Sequence, residues 1–199
     1  MQNIPIILAS NSPARRELLS SIYIDPIIIP ADVDETEFAR ELPNEVAIRL
    51  SKAKAIKTAE GVECGYIIGA DTVAAVGRRI MPKALTSAMV ADCMSLYSGR
   101  RHRIYTGVHI IKKNTDGRME SRSRLVQTIV GFKRMTDQEI EHYANCGEGI
   151  GKAGGYAVQG SVQGLISFIS GSFSNIIGLP LFETRNMLIS LGYKHGNNI

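Results

Sequence analysis

The sequence predicts an α/β protein whose mixed sheet is flanked by helices. Three observations carry that expectation. Short apolar, β-prone runs alternate with helical patterns through about the first hundred residues. A hairpin pair follows between 103 and 132, and two further strand-like runs then return toward the sheet. The chain's 199 residues can bury a real core and suit one domain with two lobes around a cleft, so 1–199 is taken as one domain.

The first strand is expected over Ile4 to Ala9, ending in Ser10-Asn11-Ser12-Pro13. Ser12 followed by Pro13 signals an N-cap and first turn, opening a helix through Leu18 and Leu19. Arg15 and Arg16 lie in that first turn, where cations oppose the helix dipole. A small-residue loop, hydroxyls, free N–H groups and a guanidinium would make a phosphate cradle; arginines pointing to water are the other reading. A second strand is expected between Ile22 and Pro30. It leads into Asp32, Asp34 and Glu35, which suit either a solvated loop or a cation. Asn44 is the expected cap of a helix reaching about Glu60. Ala47, Leu50 and Lys54 share its inner stripe, so Lys54 either snorkels out or meets an anion.

The next strand, Tyr66 to Val73, contains Gly69-Ala70-Asp71-Thr72, and the pattern places Asp71 at its carboxyl end. Ligands of open α/β sheets bind at such ends, although a strand-end acid also serves as a turn cap. Val76 to Ile80 reads as a tight hairpin, and Lys83 follows in a loop that can return to the same cleft. Thr86 starts a helix with Val90, Cys93, Met94 and Tyr97 inward, stopped by Gly99. Arg103 to Lys112 and Arg124 to Phe132 are hairpin strands around Asn114-Thr115-Asp116-Gly117. Thr136 and Glu139 form a capping box for a helix to about Asn145.

The glycine-rich stretch Gly147 to Gly155 has Cys146 and Ala153 where a P-loop needs Gly and Ser or Thr. It also fails the dinucleotide fingerprint, leaving a flexible loop or a closely approached ligand site. Tyr156 to Gln159 and Leu165 to Ile169 read as strands, Gly171 to Asn175 as a polar turn, and Leu179-Pro180 as the opening of a last helix.

Composition limits the function classes. Hydrophobic residues make up 44% and charged residues 21%, as in ordinary soluble proteins. No apolar run reaches the roughly 20 residues that span a bilayer, and the start lacks a signal-peptide pattern, so a cytoplasmic protein without membrane attachment is expected. Cys64, Cys93 and Cys146 are too scattered for a disulfide framework or a zinc site. A net charge of +4 and a pI of about 9.0 lean toward anionic partners. The basic runs Arg100-Arg101-His102-Arg103 and Lys112-Lys113 are expected to be solvated, and lack the interleaved aromatics of a nucleic-acid platform.

Ser10, Ser12, Arg15, Glu35, Asp71, Thr72, Lys83, Lys152 and Gln159 fall at predicted loops and element ends, and Lys54 joins them from the inner stripe of its helix. They supply cations for a polyphosphate, carboxylates for a divalent metal or a general base, and polar groups for a base edge. Nucleoside triphosphate hydrolysis needs that set, without being selected by it.

Five stretches then carry a resemblance: Leu8 to Leu19, Gly69-Ala70-Asp71-Thr72, Thr106-Gly107-Val108, Lys152 to Gly160 and Asn175 to Leu181. In this order they resemble the Maf family, septum formation inhibitor-like nucleotide pyrophosphatases. The resemblance implies an elongated, two-lobed α/β fold, often dimeric, that releases pyrophosphate from nucleoside triphosphates with magnesium or manganese. It implies that Asp71 is the proton acceptor, with Glu35, Lys54 and Lys83 completing the catalytic set and Asp71 and Glu35 holding the metal. Ser10, Ser12, Ala14, Arg15, Thr72, Lys152 and Gln159 would bind substrate, with Thr72 and Gln159 matching a branch that resembles dTTP/UTP pyrophosphatases. Ala14 stands where that branch usually has Arg, and the Ser-Pro-x-Arg-Arg form resembles the branch acting on 7-methyl-GTP, which has an aromatic there. Gly151 stands where an Asp commonly precedes the Lys. A different class, a non-catalytic nucleic-acid-binding or septum-regulating protein, would use the same basic cleft without its carboxylates.

Overall fold

The computed structural model describes residues 4–194. A seven-stranded mixed sheet runs in the order β2 (Ile27–Ile28), β1 (Ile6–Leu8), β3 (Gly65–Val76), β5 (Arg101–Lys113), β6 (Met119–Phe132) and β7 (Ile166–Ser170). The short β4 (Arg79–Ile80) pairs with the end of β3 as the predicted hairpin. β1 is parallel to both β2 and β3, and the remaining pairs are antiparallel, so the sheet is mixed as expected.

Helix α1 (Pro13–Ser21) starts as the sequence predicts, the Ser12 hydroxyl accepting from the Arg15 N–H at 3.4 Å. Helix α2 (Pro43–Glu60) differs at its start: Leu42 precedes the first turn, and Asn44 lies inside it. Pro43 brings a helical φ, and the Glu45 carboxylate accepts the Leu42 N–H at 2.9 Å, so no Asn cap is needed. Helix α3 (Ser87–Tyr97) is capped by Thr86 and buries Val90, Cys93, Met94 and Tyr97. Helix α4 (Asp137–Asn145) carries the Thr136–Glu139 box. Helix α6 (Leu181–Ser190) closes the fold.

Three segments depart from the sequence pattern. Between Ile22 and Pro30 only Ile27–Ile28 pairs, because α1 ends in a turn with Tyr23 at φ 58 and Pro26 has no N–H to give. Tyr156 to Gln159 is not a strand: the Ala157 N–H goes to the Tyr143 hydroxyl at 3.1 Å, and Gly160 turns back onto the Ala157 carbonyl. Gly171 to Asn175 runs into helix α5 (Phe173–Ile177), since the Ser172 hydroxyl caps the Asn175 N–H. The basic runs are not wholly solvated either. His102 is buried, and the Lys113 ammonium donates to the Ala59 and Val62 carbonyls at 2.9 and 2.8 Å, at the end of α2.

Successive side chains on a strand alternate between faces, so the two faces of β3 and β5 carry different packing. On one face lies α2, and there the partners Asp71 and Gly107 face each other across the β3–β5 register. A Cβ on Gly69 would lie 2.2 Å from the Ser51 carbonyl oxygen, and one on Gly107 the same distance from that of Ala47. The helix backbone therefore rests directly on the sheet. The opposite face carries two cores: α1 and α6 over β1 and the start of β3, and α3 and α4 over the end of β3.

The second core contains an aromatic stack. Tyr97 lies on His102 with centroids 4.0 Å apart, and Tyr156 meets His102 edge-on. His102 Nε2 is 2.8 Å from the Tyr156 hydroxyl, while Nδ1 has no hydrogen-bond partner among the described residues. An imidazolium would bury a charge and leave an orphaned N–H, and burial pulls the His102 pKa from 6.5 to about 3.

Two outcomes follow from this packing. Gly107→Ala must push α2 off the sheet, and urea unfolding should register a loss of about 1–3 kcal/mol; an unchanged midpoint would contradict the close approach. The unfolded chain takes a proton near pH 6.5, whereas folded His102 resists it down to about 3. Its contribution is therefore complete above 6.5 and is lost as pH falls through that window, by up to about 1.4 kcal/mol per pH unit. Urea unfolding at pH 7 and pH 5 should give His102→Phe a smaller drop than the native protein.

Candidate active site

β1 ends at Leu8, while its parallel neighbour β3 continues to Val76. Asp71 is thus not at the end of its own strand, as the sequence pattern predicts, but in the middle of β3, just past the end of β1. The antiparallel pairing with β5 extends β3 beyond the apolar run. The crevice off the end of β1 is the cleft, of about 760 Å³. That size is typical of a small-molecule site. Every site residue expected from the sequence lines it: Ser10, Ser12, Ala14, Arg15, Glu35, Lys54, Asp71, Thr72, Lys83, Lys152 and Gln159.

Asp71 and Thr72 are adjacent in β3 and so project to opposite faces of the sheet. On the α2 side, the Lys54 ammonium donates to Asp71 Oδ1 at 2.6 Å and lies 2.6 Å from Glu35 Oε1. Lys54 and Asp71 are nearly buried. The lysine on the inner stripe meets anions and does not snorkel out. The ammonium thus holds Asp71 by a charge-assisted hydrogen bond and Glu35 by an ion pair.

On the α1 side, Arg15 turns inward and Arg16 outward to a loose, exposed pairing with Asp25 at 3.8 Å. The Arg15 guanidinium donates to the Gly178 carbonyl at 2.8 Å, the Ser10 hydroxyl at 3.0 Å and the Thr72 hydroxyl at 3.1 Å. Burial lowers its pKa, and Asp71 and Glu35 push it back up; an arginine stays charged under such a shift.

The hydroxyls behind it form a directed chain. Thr106 gives its one proton to the Asn175 carbonyl at 3.0 Å, so in the 3.0 Å contact between Thr72 and Thr106 the donor is Thr72. Thr72 therefore shares its one proton between Thr106 and the Gly178 carbonyl, 3.4 Å away, and offers a lone pair to Arg15. Asn175 in turn donates to the Thr128 hydroxyl at 3.0 Å. Gly178, Thr106 and Asn175 were not among the site residues expected from the sequence. Their contributions are a backbone carbonyl and buried hydroxyl and amide groups, and only their place in the recurring stretches could have flagged them.

The third wall is a ribbon of two loops. The Ala84 N–H donates to the Lys152 carbonyl at 3.1 Å and the Gly154 N–H to the Pro82 carbonyl at 3.0 Å, with Lys83 and Ala153 bridged between them. Gly154 and Gly155 take left-handed φ values of 73 and 74°, which lets the ribbon turn into the buried Tyr156. Lys83 and Lys152 are exposed and form no ion pair among the described residues. Gln159 is exposed at the rim.

No group of three or more His, Cys, Asp or Glu side chains is arranged to hold a metal ion among the described residues. A magnesium-type ion needs less, since one or two carboxylates plus substrate phosphates suffice. Asp71 and Glu35, meeting at one ammonium, fit that donor set. Among the described residues no helix is long and apolar enough to cross a membrane.

Comparison with known proteins places the chain in a family. A Rickettsia felis protein named nucleoside triphosphate pyrophosphatase is 58% identical over 195 residues, covering 97% of this chain and 96% of its own. A Rickettsia typhi protein of the same name is 56% identical over 200 residues, covering 100% and 88%. Among solved structures, the Staphylococcus aureus Ham1 protein aligns over 64% of this chain and 71% of its own, at 17% identity and a TM-score of 0.43. The model of the Maf-like protein family matches residues 5–191, and the chain belongs to that family.

Proposed function

We propose that this chain is a nucleoside triphosphate pyrophosphatase, hydrolysing a nucleoside or deoxynucleoside triphosphate to the monophosphate and pyrophosphate. The observation that carries the reading is the convergence of Asp71 and Glu35 on Lys54 in a cleft that also holds Arg15, Lys83 and Lys152. A nucleotide-sized cleft that carries carboxylates beside its cations supplies both phosphate-binding groups and groups able to activate water or hold a metal ion, and a cleft that only bound a polyanion would need no carboxylates. The name borne by relatives at 56–58% identity supports the same reaction.

In this reading the triphosphate lies across the cleft. Arg15 and the Ser10–Ser12 turn hold phosphate oxygens from one side of the sheet, and Lys54, Lys83 and Lys152 do so from the other walls. Asp71 takes the proton of a water that attacks the α-phosphorus. The new P–O bond forms as the bond to the bridging α–β oxygen breaks, and pyrophosphate leaves with that oxygen. Lys54 orients the Asp71 carboxylate through the 2.6 Å hydrogen bond. Asp71 and Glu35 would hold a magnesium or manganese ion, which when bound neutralises phosphate charge. Thr72 acts through Arg15, fixing the guanidinium it accepts from.

The test is pyrophosphate release from a panel of ordinary and modified triphosphates, starting with dTTP and UTP, in magnesium or manganese. Asp71→Asn should lose about 10²–10⁴-fold in turnover while still binding nucleotide. Native turnover in that variant means another group is the base. Salt-dependent binding of DNA or RNA with no pyrophosphate from any nucleotide would replace the reading with the non-catalytic one.

A further inference from the structure

Glu35 sits in the segment 29–42, which has neither helix nor strand. Its side chain is 60% exposed, yet its carboxylate lies 2.6 Å from the Lys54 ammonium. A mostly solvated loop carboxylate has little packing of its own to keep it there. Something else must hold the loop.

Arg49, on α2, supplies that hold. Its guanidinium grips both oxygens of Glu41, with Nε 2.6 Å from one and Nη2 2.7 Å from the other. The same Nη2 donates to the Thr36 carbonyl at 3.0 Å, and the guanidinium carbon lies 4.1 Å from the centre of the Phe38 ring. Glu41 passes the grip on by accepting the Phe38 N–H at 3.1 Å. One step upstream of Thr36 is Glu35, itself bracketed by a turn in which Asp34 accepts the Thr36 N–H at 2.9 Å. The side chains of the ion pair are well covered, at 25% and 9% exposure, and Glu41 raises the Arg49 pKa through the bond it accepts. Planar, bidentate geometry of this kind fixes orientation, which a lysine's point charge does not. Between Phe38 and Glu41 the chain also passes through Arg40 at φ 66, a strained conformation that persists where the surroundings enforce it.

We infer that Arg49 is a positioning residue for the proposed reaction: by clamping Thr36, Phe38 and Glu41 to α2 it keeps Glu35 at the cleft beside Lys54 and Asp71. The inference rests on the pyrophosphatase reading for its catalytic consequence, and on the loop geometry alone for the clamp. Because α2 also carries Lys54, one helix sets the position of the ammonium and of the carboxylate that meets it.

Two measurements test it. Trypsin cleaves after exposed arginines, and Arg40 is exposed in the clamped loop. Cleavage at Arg40, followed by mass spectrometry under native conditions, should become at least several-fold faster in Arg49→Ala. It should also rise in Arg49→Lys, which keeps the charge and loses the two-pronged grip on Glu41. The second measurement is the magnesium concentration giving half-maximal pyrophosphate release. Arg49→Ala should raise it about tenfold in the native background, and by less than about twofold when Glu35 is already Gln. Unchanged cleavage at Arg40 in both variants overturns the clamp. An equal fold-change with and without Glu35 shows that Arg49 acts through general stability, and overturns the positioning role. If the native protein releases pyrophosphate from no nucleotide, the pyrophosphatase reading falls, and the cleavage comparison still decides whether Arg49 holds the loop.

Discussion

The direct contact between the backbone of α2 and the β3–β5 pair is the constraint on which the rest of the structure depends. Gly69 and Gly107 leave no side chain between helix and sheet, so the helix axis sits closer than any larger residue would allow. Lys54 is carried on that helix, and Asp71 projects from the same sheet face, opposite Gly107 in the register. The short contact between them depends on this spacing. A helix lifted by the thickness of one methyl group would move the ammonium away from a carboxylate that has few alternative partners in a nearly buried position.

The second organising fact is the early end of β1. By stopping at Leu8 it exposes an edge of β3 and opens a crevice reached from both faces of the sheet. One face contributes Lys54 and the acids, the other Arg15. Adjacent residues of one strand, Asp71 and Thr72, are the anchors for the two sets. Arg15 is held by a carbonyl and two hydroxyls, with no carboxylate among its hydrogen-bond partners in the described residues, so its charge remains available to an anion. Lys54 differs in meeting two local anions, Asp71 and Glu35. The division gives one cleft both a cationic wall and an acidic one.

Most of the site was legible because its residues stand out against their local context. An arginine in the first turn of a helix, a lysine on an apolar stripe and an acid within an apolar strand each contradict what local stability favours. Arg15, Lys54 and Asp71 all line the cleft, although Arg16 beside the first does not. The supporting groups had no such signal. Thr106, Asn175 and the Gly178 carbonyl are ordinary in sequence, and Arg49 and Glu41 stand eight residues apart, on α2 and in the loop before it, with no helical spacing to pair them. The misread segments share a cause as well: between Ile22 and Pro30, and from Tyr156 to Gln159, the apolar pattern suited a strand, but the backbone N–H groups were missing or drawn to other partners.

By itself the sequence determined most of the elements, several of their caps and the chemical inventory, because helix starts such as Ser12-Pro13 and Thr136 with Glu139 are written in local hydrogen-bonding chemistry. Only the tertiary structure decided which charges meet. Lys54 could have faced water or an anion with the same periodicity, and Glu35 could have been one more solvated loop acid. Their meeting with Asp71 depends on how closely α2 lies on two glycines and on where β1 stops, and both are distances between segments remote in the chain.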